Sequence, residues 1–138
     1  MKRPVALTFT LLLTACAGAP DQGDDPLSEM FSGVSPARAE AVAARITDLP
    51  FGSAENPVRA HMPPGERTYM ARLRCADGHA PQFERKGSSG PGPYGMILDI
   101  YEASCVNSTP ASARIYIDMY HPGHVETRAP EGFTLAPE

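Results

Sequence analysis

Tryptophan is absent from this chain, lysine occurs twice and cysteine three times in 138 residues. Each scarcity excludes a class of chemistry. A surface that tracks phosphates needs clustered lysine and arginine. Here the arginines are scattered and the formal charge is −4, so nucleic acid is not an expected partner. No CxxC pair occurs, and a thiolate zinc site therefore has no support. No GxSxG elbow marks a serine nucleophile. Residues 87–95, GSSGPGPYG, lack the Walker spacing and its Lys-Ser/Thr ending, and Pro91 and Pro93 each remove an amide. They read as a plain loop. The acidic group Asp21, Asp24, Asp25 and Glu29 lacks EF-hand spacing. No internal repeat is present. Nor is any apolar run long enough to cross a bilayer, which takes about 20 residues.

The short apolar run at residues 5–13 has a different use. Lys2 and Arg3 precede it as a basic region, and its length suits a secretory signal. It ends in Leu13-Thr14-Ala15-Cys16. This segment resembles the lipobox of bacterial lipoproteins. The resemblance implies cleavage before Cys16 and acylation of that cysteine, with residues 1–15 removed as the signal peptide. Two or three acyl chains, palmitate among them, anchor a protein stably where one does not. Ala17 and Gly18 follow, with no Asp after the cysteine. By resemblance to lipoprotein sorting signals, that favours the outer membrane, with the domain facing the periplasm of a Gram-negative bacterium. The rest of the chain is similar to small envelope lipoproteins, a likeness that implies no particular activity.

With Cys16 lipidated, Cys75 and Cys105 remain. An exported pair in an oxidising compartment forms a disulfide. Closing a loop of this size contributes roughly 3–4 kcal/mol in the chain-entropy treatment. Removal of residues 1–15 also removes two positive charges, which makes the mature chain more acidic still. Residues 16–34 are rich in Gly, Pro, Asp and Ser and read as a disordered tether.

Residues 35–138 read as one small globular domain. Ser35-Pro36 opens a helix, because Ser caps free amides and Pro suits the first turn. Ala39, Val42, Ile46 and Leu49 form its apolar stripe, and Pro50 ends it. Val58 to His61 suits a short edge strand. From Thr68 to Cys75, alternation puts Tyr69, Ala71, Leu73 and Cys75 on one face, as in a half-buried strand; a short helix remains open there. A short strand is expected from Pro81 to Lys86. Residues 113–120 alternate most cleanly, with Ile115, Ile117 and Met119 opposite Arg114, Tyr116, Asp118 and Tyr120. Residues 96–105 are apolar on both faces, as a central strand is, with a helix as the alternative. The expected fold class is α+β: an N-terminal helix packed on a small, mostly antiparallel sheet, with one disulfide.

Three groups of residues carry candidate chemistry. His121-Pro122-Gly123-His124 suits a type II turn, which brings its first and fourth Cα atoms within about 7 Å. Two imidazoles there, with Asp118, would suit zinc or copper(II); otherwise they are ordinary turn residues. Asp99 and Glu102, with Asp118, are the carboxylates of the hairpin. A small hydrolase would need two of them across a cleft. Tyr101, Tyr116 and Tyr120, with Arg114, suit a recognition surface. The leading expectation is a membrane-tethered periplasmic lipoprotein acting as a non-enzymatic binding or structural module, with no cofactor. Its partner would be an envelope protein or a cell-wall glycan. The alternative is a periplasmic metal-binding protein using His121 and His124.

Overall fold

The computed structural model describes residues 32–137. The signal segment, Cys16 and residues 17–31 of the expected tether lie outside them. The fold is α+β, as expected. The described elements are α1 (Pro36–Ile46), β1 (Val58–Arg59), α2 (Met62–Arg72), β2 (Leu73–Arg74), β3 (Gln82–Pro91), β4 (Ile97–Ser104), β5 (Ser112–Asp118) and β6 (Thr134–Leu135). A four-stranded sheet has the order β1-β5-β4-β3, and β2 pairs with β6 in a second, two-stranded sheet. All neighbours are antiparallel except β1, which runs parallel to β5. Among the described residues no helix is long and apolar enough to cross a membrane.

α1 begins as its sequence predicts. The Ser35 hydroxyl accepts from the Arg38 amide, and Ala39, Val42 and Ile46 are buried. They pack with Val34 on Tyr94, Met96 and Tyr120. Those residues lie just before β4 and just after β5, so α1 covers one end of the central hairpin. The opposite end carries the disulfide, Cys75 to Cys105, with Cα atoms 5.8 Å apart.

α2 corrects the half-buried strand expected from Thr68 to Cys75. Only Leu73 and Arg74 are extended. Pro63 and Pro64 look like breakers, yet they stand in the first turn, where their missing amides have no intrahelical partner. The buried stripe is Glu66, Tyr69, Met70 and Leu73, at helical spacing, while Ala71 is exposed. A glutamate on the apolar stripe concealed the period. Tyr69, Met70 and Leu73 join Tyr101, Ala103, Ile115, Ile117 and Phe133 in the main core.

β3 corrects the loop expected at residues 87–95. The strand continues from Arg85 through Gly87 and Ser88 to Pro91, with register shifts after Arg85 and after Ser88. It is an edge strand, so glycine and proline cost it few ladder bonds. β4 is an inner strand, as its doubly apolar faces imply.

Candidate functional site

The end of the sheet beneath α1 gathers the polar residues. Parallel pairing sets Arg59 beside Asp118. The pairing extends past the strand ends: the Ala60 amide donates to Asp118 O at 2.9 Å, and the His121 amide donates to Ala60 O at 3.0 Å. His121 to His124 then forms the predicted turn. The His124 amide donates to His121 O at 3.2 Å, and Gly123 has φ 73°. Gly33 and Val34 are packed over this turn, although the composition reads them as tether. Val34 is buried, and its amide donates to Tyr120 O at 2.7 Å. A Cβ on Gly33 would lie 2.5 Å from Pro122 Cδ, so glycine is needed for the close approach.

Four ionisable side chains are enclosed here. Asp118 is fully buried, His121 is 2% exposed and Tyr94 is fully buried, with Arg59 alongside at 8%. The His121 ring lies edge-on to Tyr94, with centroids 4.6 Å apart. His121 Nε2 is 3.5 Å from Asp118 Oδ1, which also accepts from the Tyr120 amide. Burial, above all, raises the Tyr94 phenol, against the opposing charge of Arg59. Arg59 Nε, Tyr94 Oη, Asp118 Oδ2 and both His121 ring nitrogens are buried without a hydrogen-bond partner. Each such atom costs about 1–3 kcal/mol. Native structures carry only a few such atoms per domain, and here five of them lie together.

Two adjoining clefts open beside this group, and Arg59 and His124 line both. One, about 200 Å³, is walled by Val34, Ala39, His121 and Pro122 with Glu40 at its edge. The other, about 140 Å³, reaches His61, Tyr69, Arg72 and Glu126. Glu40 is 71% exposed and accepts from Arg59 Nη1 at 2.7 Å. That bond lowers the Glu40 carboxyl from its ordinary value. Burial alone would raise Glu126. Hydrogen bonds from His124 and Arg128, with the positive charge of Arg128, outweigh it and hold this carboxyl at about 2. The Thr127 and Arg128 amides also donate to it. Both carboxylates in the furrow are therefore already paired.

The candidate metal set is only partly assembled. Asp118 and His121 meet, but His124 Nε2 faces Glu126 Oε2 at 3.3 Å, and the two imidazole centroids are 6.4 Å apart. Among the described residues no group of three His, Cys, Asp or Glu side chains is placed to hold a metal ion. The recognition surface needs a correction. Tyr101 is 4% exposed and lies in the core, because β4 turns that face toward α2. Tyr120 packs against the α1 cluster. Arg114 and Tyr116 share the other sheet face, opposite Glu102 and Ile100. Asp99 and Glu102 alternate to opposite faces of β4 and share no cleft. Arg59, Glu126 and Glu66 were not singled out by the sequence. The one signal for Arg59 is its place between two apolar residues, Val58 and Ala60, in a strand.

A second buried ionisable group lies under α2. Asp99 accepts from Arg85 Nε and Nη2, both at 2.7 Å, and from the Ser88 hydroxyl at 2.9 Å. Burial opposes its ionisation, but those bonds hold its carboxyl below the ordinary value. Glu66 accepts from the Tyr101 hydroxyl at 3.1 Å. Burial first, then the charge of Asp99, pushes Glu66 up to about 7. The other Glu66 oxygen, Oε1, is buried without a hydrogen-bond partner. Comparison with known protein families, curated proteins and solved structures finds no match for this chain.

Proposed function

We propose that this chain is a membrane-tethered periplasmic lipoprotein whose domain is a non-enzymatic binding module of the cell envelope. The observation that carries the binding role is the group of orphaned buried polar atoms beside the furrow of Arg59 and His124. Three of these atoms belong to Arg59 and His121, which line the clefts, whereas Tyr94 and Asp118 line neither; unsatisfied polar side chains on a concave wall favour a polar occupant. The lipobox-like segment supports the tether, and the Cys75–Cys105 bridge suits an oxidising compartment. Catalysis is the weaker reading, since the carboxylates facing the furrow are both held in ion pairs.

Two measurements test this. In detergent phase separation, the full-length chain partitions with detergent and a Cys16→Ser variant does not; a variant that still partitions ends the lipid-anchor reading. A photo-cross-linking residue at Val125, on the furrow rim, gives an envelope adduct. The same residue at Val106, on the far loop, gives none. Equal labelling at both positions contradicts a binding role for the furrow.

A further inference from the structure

We propose that the furrow takes the free carboxylate of a small ligand, of the kind a short peptide presents at its C-terminus, on Arg59 in place of Glu40. This deepens the binding-module reading and rests on it.

Four observations carry the ligand class. First, the furrow presents an excess of donors. Arg59, His61 and His121 line it with Glu40, while Arg72 donates to the Ala136 and Glu126 carbonyls and His124 is paired with the Glu126 carboxylate. Glu126 is occupied by His124, Arg128 and two backbone amides. Asp118, the other nearby anion, lines neither cleft. It lies beside His121 Nε2 at 3.5 Å, where it can fix the orientation of that imidazole.

Second, Glu40 already shows that Arg59 accepts a carboxylate at hydrogen-bonding distance. Its side chain is 71% exposed, whereas that of Arg59 is 9% exposed. A surface carboxylate gains little from such a pair, so an incoming carboxylate can displace it and Glu40 returns to water. Arg suits the exchange because its planar fork can take both carboxylate oxygens.

Third, the wall is apolar. Val34, Ala39 and Pro122 face the charged end and suit methyl-bearing groups. Fourth, clefts of about 140 and 200 Å³ admit a body of only one or two small residues. Inorganic phosphate would use the donors but leave the apolar wall without a function.

The test uses the full-length chain in detergent micelles and N-acetyl-alanyl-alanine as probe. Binding is followed by the amide signals of Gly123 and His124 and by the Arg59 Nε–H signal. The free acid is expected to bind at least about tenfold more tightly than its C-terminal amide, the difference a charge-assisted bond makes. Glu40→Gln removes the internal competitor without entering the core, and should tighten binding about two- to fivefold. Arg59→Lys should weaken it by about tenfold or more. Equal binding of acid and amide, or weaker binding by Glu40→Gln, overturns the proposal. Glucuronate or phosphate binding where the dipeptide does not overturns the peptide assignment. If these tests fail while the Val125 adduct persists, only the ligand class falls. If that adduct is absent as well, the binding-module reading falls with it.

Discussion

Two buried ionisable groups lie in this small domain, one under α2 and one under α1. In the first, Asp99 takes three hydrogen bonds from Arg85 and Ser88, and Glu66 is bonded by Tyr101, with one orphaned atom, Glu66 Oε1. In the second, Arg59, Tyr94, Asp118 and His121 are enclosed with five orphaned atoms among them. The first ties three elements together, since its residues come from α2, β3 and β4. The second gathers residues of β1 and β5 with two chain segments outside the strands, and it adjoins clefts. A satisfied network stabilises and specifies the fold. An unsatisfied one costs stability.

The largest expected effect comes from breaking the better-satisfied group. Asp99→Ala leaves Arg85 and Ser88 without their shared partner, and should cost about 3 kcal/mol, the low end for a buried pair because Arg85 is half-exposed. Asp118→Asn, at the unsatisfied group, should cost under about 1 kcal/mol. Urea denaturation with the disulfide intact measures both. Equal losses would erase the distinction between the two groups.

The pH dependence separates them next, with opposite signs. Glu66 is raised from 4.5 to about 7 in the folded state. Its contribution is complete below the unfolded value and is lost as pH rises through 7, when two carboxylates face each other beside Tyr101 and Arg85. The loss amounts to about 2–3 kcal/mol at most, and Glu66→Gln should flatten it. Glu126 is lowered from 4.5 to about 2. Its contribution is complete above the unfolded value and is lost as pH falls through 2, again by about 2–3 kcal/mol at most. Glu126→Gln should remove that acid limb. A stability profile with no alkaline decline between pH 5 and 8 (a window of about three units around the Glu66 value) would show that Glu66 does not carry its proton.

The smallest effect is the most diagnostic. His121→Phe replaces two orphaned nitrogens with an apolar ring against Tyr94. It should change stability by no more than about 1 kcal/mol, in either direction. Binding of the dipeptide acid should nevertheless fall. A large loss of stability would mean that His121 is bonded within the fold and is not held for a ligand.

Much of this architecture is legible in local patterns. The β4–β5 hairpin, α1 and the His121–His124 turn follow from period-2 alternation, helical spacing and Pro-Gly chemistry. α2 was legible only as the alternative to a strand after Thr68, and its first turns were hidden because Pro63 and Pro64 mimic breakers and Glu66 occupies a core position. The continuation of β3 through Gly87 and Ser88 was hidden for a related reason: an edge strand tolerates residues that local propensity reads as loop. The site was half visible. His121 and Asp118 stood out by type and spacing, but Arg59 and Tyr94 reach them from other parts of the chain, and Val34 closes over the turn from a stretch that reads as linker.

The sequence by itself determined the periodicities, the turn, the cysteine arithmetic and the lipobox-like beginning, because each depends on residues close in the chain. Only the tertiary structure decided which polar groups lose water and which then find partners. Glu66 and Asp99 become electrostatically coupled carboxyls, while Asp118 and His121 remain incompletely bonded. Desolvation and hydrogen bonding depend on what the whole fold brings within about 3 Å, and no local pattern records that.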